Sequence, residues 1–113
     1  MTTTETSAPV CLPCSSVTPR LEANDCRARM AGLHGDWQLD DDAGRITRSF
    51  AFKGFAKPVQ LANMLAWYGE KTGHHPDIAF GWGYCRVTYT THDIGGLSEV
   101  DFAMAEGLDR LIA

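Results

Sequence analysis

Apolar residues recur along this chain at two spacings, one helical and one alternating. Leu21, Cys26, Met30 and Leu33 follow one another at roughly helical intervals, and Gly32 and Gly35 close the run. Thr18-Pro19 supplies an N-cap and a proline at the first helical position, where its missing N–H costs nothing. A first helix is therefore expected from about Pro19 to about Leu33. Leu61, Met64, Leu65 and Tyr68 form the apolar stripe of a second helix, opened by Pro58, running to about Lys71 and stopped by Gly73. Phe102, Ala105, Leu108 and Leu111 place a third helix from Ser98 to about Leu111 with those four residues inward. Its entrance carries the capping-box spacing Ser98-x-x-Asp101, in which the acid reaches back to the helix start.

Between the helices the period changes. Trp37-Gln38-Leu39 and the run from Arg45 to Phe52 flank Asp40-Asp41-Asp42-Ala43-Gly44, the pattern of a β-hairpin. The three aspartates lack calcium-loop spacing and read as a solvated turn. Trp37 fits two descriptions, a hydrophobic anchor or a flat wall for a ring-shaped ligand, and this segment alone favours the anchor. Ile78 to Phe80 and Tyr84 to Thr91 make a second strand pair around Gly81-Trp82-Gly83, with Cys85, Val87 and Tyr89 on one face. His92 has the parity of Thr88 and Thr90 and is expected to project at the strand end, away from that face. The resulting order is α-β-β-α-β-β-α. It predicts an α+β, two-layer domain: a four-stranded antiparallel sheet with three helices packed on one face. The other face is left for a ligand or a second copy.

Composition narrows the class without naming a function. At 113 residues, with 44% hydrophobic and 21% charged residues, the chain is sized for one compact domain. A net charge of −4 with ten Lys and Arg argues against nucleic-acid binding. Residues 1–16 are rich in Thr, Ser and Pro and read as a flexible N-terminal tail, leaving 17–113 as the domain. No signal-peptide pattern and no bilayer-length apolar run occurs, so no membrane association is expected and a cytoplasmic location is the default. Cys11 and Cys14 form a Cys-x-x-Cys pair, but the remaining zinc ligands and the strand-to-helix context of a redox dithiol are missing. Neither a metal nor a cofactor is expected. Cys26 and Cys85 read as buried small hydrophobes.

The chemistry gathers between Glu70 and Asp101. Three of the four histidines fall there, His74, His75 and His92, bracketed by Glu70, Asp77, Asp93 and Asp101. Pro76 pushes His75 into an extended conformation, so the rings of His74 and His75 diverge. Diverging rings grip one metal ion poorly but can address different atoms of one flat ligand near neutral pH. The remaining histidine, His34, sits beyond the first helix, where a positive end is welcome.

The set Glu70-Lys71-Thr72-Gly73-His74-His75-Pro76, followed by Trp82, His92 and Asp101 at their spacings, resembles the signature of the pterin-4a-carbinolamine dehydratases. The resemblance runs from about Thr18 to the C-terminus and takes in Trp37, the run from Phe50 to Phe55, and the run from Thr91 to Ser98. The N-terminal Cys-x-x-Cys is similar to that of bacterial members.

This resemblance implies a hydro-lyase: dehydration of 4a-hydroxytetrahydrobiopterin to quinonoid dihydropterin and water, recycling the cofactor of aromatic amino acid hydroxylases. It makes His74, His75 and His92 the essential histidines, with His74 and His92 moving protons and His75 mainly binding the pterin. Glu70 and Asp101 orient and charge them, Pro76 shapes the binding segment, and Trp37 packs near the ring. It further implies a homodimer or homotetramer and a hydroxylase as a partner. The alternatives are a protein-interaction or regulatory module on the same fold, and a pterin-related role in molybdopterin metabolism.

Overall fold

The computed structural model describes residues 19–113. The Thr18 cap, the Cys11–Cys14 pair and the expected tail lie outside the described residues. The elements follow the expected order: α1 (Ala23–Arg29), β1 (Gln38–Leu39), β2 (Ile46–Ala51), α2 (Ala56–Thr72), β3 (Asp77–Gly81), β4 (Tyr84–Tyr89) and α3 (Glu99–Ile112). The four strands form one antiparallel sheet in the order β1-β2-β4-β3.

Register sorts the side chains by face. Ile46 opposite Tyr89, Arg48 opposite Val87 and Phe50 opposite Cys85 lie on the inner face, joined from β3 by Ile78 and Phe80. Thr47, Ser49 and Ala51, with Thr88, Arg86 and Tyr84 opposite them, lie on the outer face, where the Thr47 and Thr88 hydroxyls meet at 3.0 Å. Cys85, Val87 and Tyr89 are fully buried, as their alternation requires. Leu65 from α2 and Met104, Ala105 and Leu108 from α3 complete the core, each large apolar side chain stabilising the fold by about 1.5–3 kcal/mol. Burial pushes the Cys26 and Cys85 thiols up from their ordinary value, consistent with small hydrophobes in the core.

Several local expectations are corrected. The first helix begins at Ala23 because the Leu21 N–H donates to the Leu97 carbonyl at 2.8 Å, tying residues 19–21 to the segment before α3. Its last turn, Met30–Gly32, tightens into a 3-10 helix. The second helix starts at Ala56, with Pro58 in its first turn, where the backbone N–H has no helical partner in any case. On α3, Leu111 is 53% exposed and the inward stripe runs through Met104, Ala105 and Leu108 to the half-buried Ile112. The fourth strand stops at Tyr89, because Thr91 and Gly96 pair across a tight turn that contains a 3-10 segment, His92–Ile94. His92 therefore leaves from that turn, and strand parity does not govern its direction.

Candidate active site

Three chain ends converge at one end of the sheet. Helix α2 stops at Gly73, whose φ of 79° is the left-handed conformation that favours glycine, and His74 follows at once. The turn after β4 carries Thr91 and His92. Helix α3 enters through Ser98, so its first turn brings Asp101 beneath His74.

His74 and Asp101 make a buried pair. The ring is 4% exposed, the carboxylate 0%, and His74 Nε2 lies 2.6 Å from Asp101 Oδ1. The other carboxylate oxygen accepts from the Thr91 hydroxyl at 2.7 Å and from the Ser98 N–H at 3.0 Å, closing the expected capping box. Thr91 and Ser98 hydroxyls are 2.9 Å apart. Since Thr91 uses its single proton on Asp101, Ser98 donates to Thr91, and the chain of donors runs Ser98 to Thr91 to Asp101. An ionised carboxylate only accepts, so His74 donates through Nε2 to Oδ1, and in the neutral ring Nδ1 is then an acceptor. The His74 ring stacks on Tyr89, with centroids 6.0 Å apart and planes 16° apart.

The other two histidines face solvent. His75 Nε2 lies 2.8 Å from Glu70 Oε1 in the last turn of α2, and both side chains are exposed. Such a pair contributes little to stability, but it aims the ring. His92 Nε2 lies 3.7 Å from Asp77 Oδ2 at the start of β3, also exposed, an ion pair only when the imidazole is protonated. The rings of His74 and His75 thus take different partners, Asp101 and Glu70. Pro76 itself packs against Gly69 of α2, where an added Cβ would sit 3.0 Å from its Cδ.

The three histidines line one cavity of about 150 Å³ together with Gly73, Thr90, Thr91 and Asp93. A larger cavity of about 610 Å³ adjoins it, sharing Thr90 and His92. Trp37 lines neither: it is 4% exposed, tilts against Tyr89 with centroids 6.0 Å apart, and donates through Nε1 to Asp109 at 2.8 Å. Its place is that of a core anchor. His34 is also elsewhere, with Nδ1 accepting from the Asp36 N–H. Trp82 is exposed in the turn at the far end of β3 from Asp77.

Sequence reasoning missed Thr91 and the Ser98 hydroxyl as supports of Asp101, and Asp77 as the specific neighbour of His92. The only signal in the sequence was a hydroxyl residue directly before His92. Among the described residues, no group of three or more His, Cys, Asp or Glu side chains is placed to hold a metal ion. No helix among them is long and apolar enough to cross a membrane.

Comparison with known proteins points the same way. A family model described as Pterin 4 alpha carbinolamine dehydratase matches residues 19–111. A Paracoccus denitrificans protein named for pterin-4-alpha-carbinolamine dehydratase is 53% identical over 91 residues, covering 80% of this chain and 84% of its own. A crystal structure from Brucella melitensis described as a transcriptional coactivator/pterin dehydratase superimposes with a TM-score of 0.73 at 32% identity, covering 84% of this chain and 100% of that one. A pterin dehydratase-like protein, described as a RuBisCO assembly factor in the alpha-carboxysome, gives a TM-score of 0.56 at 30% identity over 69% of this chain and 90% of that one.

Proposed function

Because this chain belongs to the pterin 4 alpha carbinolamine dehydratase family, we propose that its histidine cavity dehydrates 4a-hydroxytetrahydropterins by general acid/base catalysis. The observation that carries the reading is the convergence of His74, His75 and His92 on one cavity, with His74 backed by the buried Asp101. In the reaction the C4a–O bond breaks, the leaving hydroxide takes a proton to become water, and N5 loses its proton to restore the ring's conjugation. Hydroxide leaves poorly, so one group has to donate a proton as another removes one. His74 and His92 fill these two roles and His75 holds the ring. Asp101 keeps His74 in one tautomer and stabilises it when charged; Glu70 and Asp77 do the same, more weakly, for His75 and His92. Each positioned acid or base contributes on the order of 10²–10⁴-fold, with no call for a metal ion or redox cofactor.

The physiological setting proposed is recycling of tetrahydrobiopterin for an aromatic amino acid hydroxylase in the cytoplasm, by a homodimer or homotetramer of domain 17–113. A second reading, a protein-interaction or assembly module, draws support from the description of one structural neighbour as a RuBisCO assembly factor. Such a role has no use for a buried His–Asp pair opening on a cavity, and the dehydratase reading is preferred for that reason.

The deciding experiment is stopped-flow absorbance of a synthetic 4a-hydroxytetrahydropterin, which also dehydrates spontaneously, with wild type and His92→Ala, each with and without chelator. Acceleration that survives chelation and is largely lost in His92→Ala is the expected result. Folded wild type that leaves the spontaneous rate unchanged would sink the dehydratase reading and turn attention to the interaction module.

A further inference from the structure

Resting on the dehydratase reading, we infer that Tyr89 is a positioning residue for His74, its ring fixing the plane of the imidazole while Asp101 fixes its reach. Rotation of a histidine ring about its Cβ–Cγ bond is broad and two-fold rather than confined to three staggered wells. Nε2 lies closer to that rotation axis than Nδ1 does. The 2.6 Å hydrogen bond from Nε2 to Asp101 therefore holds the far end of the ring in place but restrains its roll only weakly. Roll moves Nδ1, the ring's acceptor. Proton transfer needs that atom at a set position, since a misplacement of about 1 Å can cost on the order of 10²-fold in rate.

Tyr89 supplies the flat surface that limits roll. Its ring lies nearly parallel to the imidazole, with planes 16° apart and centroids 6.0 Å apart, inside the roughly 4.5–7 Å range of offset-stacked aromatic pairs. The phenol is itself immobilised. It is fully buried on the inner face of β4, opposite the equally buried Ile46. Trp37 tilts against it with centroids 6.0 Å apart, and the indole is tied through Nε1 to Asp109 Oδ1 at 2.8 Å. The same carboxylate oxygen accepts from Arg48 Nη1 at 2.7 Å, an ion pair whose two side chains are mostly buried. A continuous line of rings thus runs from Asp109, near the end of α3, to His74, with Tyr89 as its middle member.

The residue type fits this use. Strand alternation asks only for an apolar side chain at position 89, and a branched aliphatic one would satisfy it. Tyr89 instead brings a hydroxyl that has no hydrogen-bond partner among the described residues, which disfavours its burial. The flat face is the property that an aliphatic side chain lacks, and it is the face that His74 meets. Phenylalanine would keep that face, whereas leucine or methionine would not.

The test compares wild type, Tyr89→Leu, Tyr89→Met and the conservative Tyr89→Phe by steady-state dehydration kinetics and by NMR relaxation of isotope-labelled histidine Cε1–H groups. In wild type the His74 ring is expected to be as rigid as ordered backbone, with an order parameter of about 0.85. In the leucine and methionine variants the order parameter should fall toward about 0.6. Their kcat should fall by about 10–10²-fold, with KM within about twofold of wild type because His75 still holds the pterin. Tyr89→Phe should restore the rigid ring and most of kcat. Lost packing alone would lower Tm without separating kcat from KM in this way. A mobile His74 ring in wild type overturns the assignment whether or not the aliphatic variants fold. So does a phenylalanine variant as impaired as the aliphatic ones, or a folded aliphatic variant with unchanged kcat or a rigid His74 ring. If wild type does not accelerate dehydration, the catalytic reading fails, while the relaxation comparison still decides whether Tyr89 fixes the His74 ring.

Discussion

The two oxygens of Asp101 face different parts of the molecule, one the His74 ring and the other the Thr91 hydroxyl and Ser98 N–H. An asparagine there has to choose. Its carbonyl must stay on the Thr91 and Ser98 side, since an NH2 would meet the Ser98 N–H head on. The amide then donates to His74, forcing the proton to Nδ1 and exchanging the roles of the two ring nitrogens. Asp101→Asn is therefore expected to lower kcat by about 10²-fold or more with the fold retained, and a fall of less than about tenfold would remove the tautomer from the mechanism. Thr91→Val acts through the same chain of donors. It removes one donor to Asp101 and strands the buried Ser98 hydroxyl, at a cost of about 1–3 kcal/mol that thermal unfolding should register as a lower Tm. At the exposed histidines the expectation divides: His75→Ala should raise KM more than it lowers kcat, and His92→Ala should lower kcat. Steady-state kinetics showing the reverse would exchange their roles.

At the scale of elements, the end of α2 sets the site. Gly69 lies inside this helix, where glycine costs roughly 1 kcal/mol relative to alanine. The reason for it is close approach: an added Cβ would sit 3.0 Å from Pro76 Cδ, 3.4 Å from the His74 carbonyl oxygen and 3.6 Å from His75 Cα. The chain leaving Gly73 folds back over its own helix at this point, and that return presents His74 to Asp101 and His75 to Glu70. Because the neighbours are backbone and a rigid ring, they yield poorly. Gly69→Ala is expected to keep its helix content by circular dichroism yet lose stability by about 1–3 kcal/mol and catalytic efficiency with it. A variant more stable than wild type would mean that the returning segment yields easily and that Gly69 does not position it.

Across the whole molecule, the core ties the site to the sheet through Tyr89. This residue stacks on His74, tilts against Trp37, and is fully buried with a hydroxyl that has no hydrogen-bond partner among the described residues. Burial, reinforced by Tyr68 and Asp101, pushes its phenol well above the ordinary value of 10.0. The unfolded chain releases this proton first as pH rises, so the stability contribution is intact below pH 10.0 and is lost progressively above it. Tyr68 is raised as well, again by burial, and adds to the same slope. Denaturant unfolding of Tyr89→Phe across pH 9 to 12 should show a shallower alkaline loss than wild type; an unchanged slope would mean that Tyr89 is not the group responsible.

Local physics made much of this legible. Helical and alternating periods place three helices and four strands because each depends on neighbours a few residues away. The Ser98–Asp101 box was readable for the same reason, a cap being completed within one turn. The candidate histidines and their acids were likewise nameable from spacing. What the tertiary structure decided is which acid serves which histidine. Asp101 meets His74 across 27 positions of chain, and Asp77 at the start of β3 meets His92 in the turn after β4. No period or propensity encodes such distances; they follow from how α2, α3 and the sheet pack together. The same packing put Trp37 into the core against Tyr89, ended β4 early through the Thr91–Gly96 pairing, and turned His92 toward the junction of two cavities. Sequence determined the inventory and its local geometry, whereas burial and long-range pairing, which are properties of the assembled core, determined the site.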